Sequence, residues 1–329
     1  MSLFQKAGQK VWFITGTSSG FGLHLVQTAL SRGDKVIATA RPSSLPKLTS
    51  ALTSFDFSKS TNPEVKVDQE NCVALGLDVT SDLESIKQVA EEAIKVWGRV
   101  DVVVNNAGFG TVGTHEESGV AGLLNQFQTN FFGPVNVTNA FLPHMRSRQS
   151  GTIVNIGSRS GWRTNIPLTG LYGSSKAALH AFTETLTTEV KSFNIRVLLV
   201  EPGAFRTSAI RTSNTHPRPA DSTSNHALAD SMLAPGSFSI DAYQPLHERV
   251  IQFMHSTVGK EEGDPVKGAG VIVDVVRGEG VAEGKEWPEW LFLGEDCISD
   301  VRAKIGRILK TIEQWEDVAV NTKLVEKAE

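Results

Sequence analysis

The sequence predicts an α/β fold built on a doubly wound parallel sheet, and three features of its 329 residues predict it. Between residues 10 and 201, short runs rich in valine and isoleucine alternate with longer stretches of helical periodicity, the rhythm of successive strand-helix-strand units. The runs are apolar almost throughout, as strands are when helices cover both faces of a sheet. The first run passes into a glycine-rich turn, with Gly16, Gly20 and Gly22, ahead of a helical pattern.

Six strands are expected at residues 10–15, 35–40, 72–77, 100–105, 151–156 and 195–201, and a seventh at "WLFLG". Helical patterns start near Phe21, Ser81, Gly119 and Leu171. Residues 41–70 are longer than a normal return to a neighbouring strand and polar, so they read as a peripheral insertion with at most one helix. Residues 208–262 carry proline and serine and then a helical pattern around "YQPLHERVIQFMHS". They follow the sixth strand, beside the carboxyl edge where ligands of such sheets bind, and are expected to cover the substrate. A helix, the last strand and a final helix ending near Trp315 complete a single domain in residues 263–329.

Composition narrows the function. At 40% hydrophobic residues the chain can bury a large core, and a formal charge of -4 gives no basic footprint for nucleic acid or an anionic membrane. The first ten residues lack an apolar signal core and no apolar run is long enough to span a bilayer, so a cytoplasmic protein is expected. Cys72 and Cys297 form no CxxC and read as free thiols. The eight histidines lack metal-ligand spacing, so no metal is implied.

Two features point to a dinucleotide. The Gly16–Gly20–Gly22 turn would let the backbone approach a pyrophosphate at a helix N-terminus, although a glycine-rich turn after a strand is often only a turn. The second strand ends at Ala40, and Arg41 follows, where a guanidinium suits a 2′-phosphate and a carboxylate would suit a 2′-hydroxyl. NADP(H) is therefore expected over NAD(H). In "LYGSSKAALHAF", Tyr172 and Lys176 are one helical turn apart, a spacing that alone says only that they share a face.

Together, "TGTSSGFG" (15–22), "NNAG" (105–108), Asn130, Ser158, "YGSSK" (172–176) and "PGAFRT" (202–207) resemble, in order, the short-chain dehydrogenases/reductases of the compact single-domain type. The segments 263–270 and 292–305 are similar, more loosely, to the 17β-hydroxysteroid and retinol dehydrogenase branch. This resemblance implies a Rossmann-type sheet and catalysis by Asn130, Ser158, Tyr172 and Lys176. Tyr172 would protonate a carbonyl oxygen or take the proton back, Lys176 would ease ionisation of a phenol whose ordinary pKa is near 10, and Ser158 would polarise the carbonyl. Asn130 would reach the lysine through a water.

Cofactor contacts implied by the same resemblance fall on Gly16, Thr17, Ser18, Ser19, Gly20, Phe21 and Gly22, then on Arg41, Asp78 and Val79. Asn106, Ala107 and Gly108 follow, with Tyr172, Lys176, Pro202, Gly203 and Thr207 closing the set. Asn105 is expected to brace the sheet, and Gly173, Ser174 and Ser175 to leave room for a ribose. Thirteen residues lie between Ser158 and Tyr172, one more than the family commonly has, which makes Ser160 the runner-up serine. Phe109, Trp162, Ile166, Leu168 and Phe205 are expected to wall a bulky hydrophobic carbonyl or alcohol. Homodimers or homotetramers are implied through the long helices near Gly119 and Leu171. A second reading keeps the fold as a catalytically silent, dinucleotide-binding regulatory module.

Overall fold

Alternation within the first strand sets up both faces of the sheet. In β1 (Val11–Ile14), Val11 and Phe13 pack into one apolar core while Trp12 and Ile14 pack into the other. The computed structural model describes residues 8–54, 70–207, 233–234, 236–257, 259–322 and 324. Within them β2 (Lys35–Ala40), β3 (Cys72–Gly76), β4 (Val102–Asn105), β5 (Gly151–Ile156), β6 (Ile195–Pro202) and β7 (Trp290–Leu293) join β1 in one seven-stranded sheet. All pairings are parallel and the order is β3-β2-β1-β4-β5-β6-β7. The order reverses between β1 and β4, so the crevice at their carboxyl ends is where a ligand is expected.

Helices α1 (Gly20–Ser31) and α2 (Leu45–Thr53) follow the first two strands, and α3 (Leu83–Trp97) the third. Beyond β4 come α4 (His115–Phe127) and α5 (Gly133–Arg148), then α6 (Gly170–Val190) before β6. After β6 the described chain forms α7 (Gln244–Thr257), α8 (Pro265–Arg277) and α9 (Glu295–Ala319). Leu25, Leu30, Ile272 and Val276 of α1 and α8 fill the core on one face of the sheet. Ile86, Val137, Phe141 and Leu186 of α3, α5 and α6 fill the other. None of the described helices is long and apolar enough to cross a membrane.

Three elements differ from the sequence reading. Helix α4 starts at His115, four residues early, because Thr114 caps it: its hydroxyl accepts from Glu117 N at 3.2 Å and donates to Glu117 Oε2 at 2.6 Å. The periodic pattern near Gly119 instead marks a kink, with Gly119 at φ 54°. The long helix expected from near Gly119 is interrupted after Phe127 by a π-helical turn, Gln128–Phe132, which carries Asn130. Finally, residues 41–70 are not wholly peripheral, since Leu48 and Leu52 of α2 are buried in the core; residues 55–69 lie outside the described residues.

Of the segment expected to cover the substrate, residues 208–232 lie outside the described residues, and α7 is held by Glu117. That carboxylate accepts from Ile240 N at 3.2 Å and lies 2.6 Å from His247 Nε2, with both side chains buried. In the middle of the sheet, Asn105 Nδ2 donates to Asn155 Oδ1 at 2.8 Å and to Thr138 at 3.0 Å, and Asn155 Nδ2 donates to Thr183 at 2.9 Å. These buried bonds fasten β4 and β5 to α5 and α6, so Asn105 does brace the sheet.

Candidate active site

The turn after β1 is pressed against the chain that leaves β4. Gly16 has φ 70°, and a Cβ there would stand 2.7 Å from Ala107 Cα. Thr15 Oγ1 accepts from Asn106 N at 3.0 Å and from Ala107 N at 2.9 Å, while Asn106 Nδ2 donates to Thr15 O at 2.8 Å. A Cβ on Gly22 would lie 2.6 Å from Gly16 O, so this glycine permits the helix to start against the turn. Gly20, at φ 59°, opens α1. No Ser19 side-chain cap closes the N-terminus of α1. Ser18, Ser19 and Phe21 line a cavity of about 460 Å³ that the turn borders.

That cavity runs along the carboxyl edge of the sheet. Arg41, Asp78 and Val79 lie around one part of it, and Asp78 Oδ1 is held by Thr80 N at 2.9 Å and Thr80 Oγ1 at 2.7 Å. Gly16, Asn106, Ala107 and Gly108 form its middle, and Ser158, Tyr172, Lys176, Pro202, Gly203 and Thr207 also line it. Thr17, Gly20 and Gly22 are not among the lining residues. Thr17 turns inward instead, donating from Oγ1 to Thr39 O at 3.0 Å.

Helix α6 carries Tyr172 and Lys176 on one stripe, one turn apart, and that stripe faces the cavity. Ser158 lines the cavity with Tyr172 and its side chain acts to lower the phenol pKa, whereas Ser160 is not among the lining residues, so Ser158 is the serine beside the tyrosine. Leu168, at φ 63°, sits in the loop that holds the extra residue. Lys176 is buried, donates from Nζ to Ile156 O at 2.6 Å and stands 5.9 Å from the Tyr172 ring centre. Burial lowers the lysine pKa to about 8, and the negative charge of Glu201 opposes that fall. Burial also raises the phenol pKa of Tyr172; the Ser158 side chain works against that shift and Glu201 adds to it.

Asn130 is fully buried and tied to the Phe109 backbone and the Ser175 hydroxyl: Nδ2 donates to Phe109 O at 2.9 Å and to Ser175 Oγ at 3.1 Å, and Oδ1 accepts from Phe109 N at 3.2 Å. It does not line the cavity, yet its Oδ1 and Lys176 Nζ both flank Gly108. The π-helical turn aims this side chain inward, a use such turns often serve at functional sites. The small residues after Tyr172, expected to leave room for a ribose, are not among the lining residues and pack within the protein. Gly173 lets α6 approach Ser160 O, which a Cβ would meet at 2.9 Å, and Ser174 and Ser175 bond the carbonyls of Leu171 and Tyr172.

Two groups near the site carry no signal in the sequence pattern. Glu201, at the end of β6, is fully buried with His180 Nε2 2.8 Å from its Oε1, and Gly157 lacks a side chain where Glu201 stands. Asp296, in the first turn of α9, accepts from Ala204 N at 2.8 Å and pairs with Arg159 at 2.6 Å, joining the Ser158 loop to the Pro202–Gly203 turn. Among the expected wall residues, Phe109 and Phe205 line the cavity. Trp162 does not: its ring packs on Trp290 and Phe292 at 5.3 and 6.1 Å. Ile166 and Leu168 are likewise absent from the lining.

A family model described as short chain dehydrogenase matches residues 10–218. The chain belongs to the short-chain dehydrogenase family, a family of oxidoreductases. This dehydrogenase is 31% identical over 313 residues to "Oxidoreductase BOA17" of Botryotinia fuckeliana, covering 94% of this chain and 98% of that one. It is also 36% identical over 198 residues to a 3-ketodihydrosphingosine reductase of Bacteroides thetaiotaomicron, covering 60% of this chain and 65% of the relative. Among solved structures, a short-chain dehydrogenase from Streptomyces avermitilis superposes with a TM-score of 0.73 at 31% identity, over 97% of this chain and 100% of that one.

Proposed function

We propose that this short-chain dehydrogenase interconverts a ketone or aldehyde and the corresponding alcohol on a bulky hydrophobic small molecule, with NADP(H) preferred over NAD(H). The observation that carries the reading is that Ser158, Tyr172 and the buried Lys176 line one cavity, which the glycine-rich turn also borders. The residues present fit a dinucleotide: Gly16 and Gly22 hold the backbone where side chains would collide, at the N-terminus of α1. Arg41, following β2, provides a forked cation for a 2′-phosphate. When bound, the nicotinamide supplies or takes up the hydride.

The chain's own residues move the proton. Ser158 orients the substrate oxygen, Tyr172 donates its phenolic proton to that oxygen, and Lys176 offsets the phenolate charge that remains. In the oxidative direction the same groups accept the proton. Asn130 fixes the Phe109 backbone at the cavity wall next to the lysine. Phe109 and Phe205 give the wall apolar character, and the relative named as a 3-ketodihydrosphingosine reductase supports a carbonyl substrate. Assembly into dimers or tetramers is proposed through α4 and α6, where Val120 and Leu124 of α4 are 70% and 57% exposed.

Two variants test the assignment. Tyr172→Phe removes only the transferable hydroxyl, so it is expected to bind NADPH, followed by fluorescence titration, and to lose carbonyl turnover; retained turnover refutes the role. Arg41→Ala is expected to weaken NADPH about tenfold or more while leaving NADH nearly unchanged, in keeping with the one or two charge-assisted bonds removed. Equal losses for the two cofactors refute the phosphate contact.

A further inference from the structure

Helix α9 extends beyond the body formed by the described residues. Cys297 and Val301 are buried, but from Ile305 to Thr322 every residue is exposed. Helices that stand free in water are marginal unless an apolar face finds a partner. This one has such a face: Ile298, Val301, Ile305, Ile308, Ile312 and Trp315 recur at alternating spacings of seven and its parts, four and three, which is the seam of a coiled coil. Beyond the body the seam is bare, with Ile305 44%, Ile308 46%, Ile312 52% and Trp315 61% exposed, and Leu309 beside it 52% exposed.

We infer that α9 is a self-association seam that pairs antiparallel with α9 of a second copy of this chain. Charge selects both the partner and the direction. Arg302, Lys304, Arg307 and Lys310 occupy the first part of the free helix, and Glu313, Glu316 and Asp317 the last. A parallel copy sets basic against basic and acidic against acidic. An antiparallel copy sets the basic stretch against the acidic one, and the seam closes when Ile305 faces Trp315 of the second copy and Ile308 faces Ile312 of the second copy. In that register Arg302 and Glu316, at the flanking positions that follow Val301 and Trp315, lie across from each other twice.

The surroundings agree with this register. One flank of the helix is occupied by the chain's own loop, where Lys304 Nζ donates to Thr164 Oγ1 at 2.9 Å, while the flank that carries Arg302, Leu309 and Glu316 is open. Between helix and loop runs a groove of about 320 Å³ lined by Thr164, Lys304, Arg307, Ile308, Thr311 and Ile312. The antiparallel register brings Val318 of the second copy, a side chain 55% exposed here, against that groove. A bilayer surface is a poorer match, because the apolar stripe is the narrow one of a coiled coil and three acidic residues surround Trp315. This seam is separate from α4 and α6 and is independent of the proposed reaction.

The test measures the mass of the full chain by light scattering, with far-UV circular dichroism to establish folding. Ile308→Asp combined with Ile312→Asp is expected to halve the mass; because both side chains are exposed in one protomer, the fold should persist. Arg302→Glu and Glu316→Arg, each alone, are expected to lower the mass, since each places like charges across the seam. Mixing those two single variants restores opposite charges at both crossings, so the original mass should return. An unchanged mass in the double aspartate variant, or a mixture that stays at the lower mass, overturns the inference. Wild-type protein of unchanged mass that floats with phosphatidylcholine–phosphatidylserine vesicles through this face also overturns it, in favour of a lipid surface.

Discussion

Gly16→Ala is the sharpest probe of how the cavity is built, because Gly98 supplies a control for one of its two costs. Both glycines have left-handed backbones, with φ 70° and 73°. A Cβ on Gly98 meets nothing within 4 Å, whereas a Cβ on Gly16 stands 2.7 Å from Ala107 Cα, a backbone atom. Gly98→Ala should therefore cost only the left-handed conformation, about 1 kcal/mol. Gly16→Ala carries that cost plus overpacking of about 1–3 kcal/mol, for a total of about 3 kcal/mol. At about 1.5 °C per kcal/mol in a chain of 329 residues, the melting temperature should fall by about 4–5 °C for Gly16→Ala and by a third of that for Gly98→Ala. Differential scanning calorimetry reads the stability, and NADPH fluorescence titration reads the cavity. Affinity should fall only in Gly16→Ala, because displacing Ala107 moves the cavity floor. Equal melting temperatures for the two variants would refute the close-approach argument.

Further outcomes follow from the buried charges and the polar ladder. Lys176 loses its proton as pH rises through about 8, and with it the charge that offsets the Tyr172 phenolate, so kcat/KM for carbonyl reduction should fall above that pH. Glu201 raises the lysine pKa, so Glu201→Gln should move this break to lower pH; a superimposable profile speaks against the coupling. Asn155→Ala leaves an N–H of Asn105 without its 2.8 Å acceptor, and chemical denaturation should show a loss of about 1–3 kcal/mol. A change within error would mean that the ladder relaxes freely.

Much of this architecture is legible in sequence because it follows from local periodicity. A parallel strand buried on both faces is a short apolar run, and each such run from residue 10 to residue 201 forms a strand. The site was legible where chemistry depends on order along the chain: the glycine turn, Ser158, Tyr172 and Lys176 converge on one cavity. Less legible were features decided by a few bonds. The Thr114–Glu117 capping box moved a helix start, although "THEE" carries that signal, and the π-helical turn at Asn130 is invisible to a 3.6-residue period. Gly173 gave no hint whether its missing side chain served a ligand or the Ser160 carbonyl, because both need the same empty volume. The Glu201–His180 pair is a long-range encounter between β6 and α6 that no spacing encodes.

The tie between Arg159, Asp296 and Ala204 bears on where this enzyme can be cut. The family match ends at residue 218, but β7 completes the sheet beside β6, and Asp296 anchors both the loop of Ser158 and the turn after β6. A gene shortened to the matched region would encode every residue expected to handle the proton, yet leave Ser158 on a loop stripped of its anchor. The part of the chain that holds the Ser158 loop in place therefore extends to an aspartate nearly eighty residues beyond the family match, and truncation libraries should keep α9 through at least its first turns.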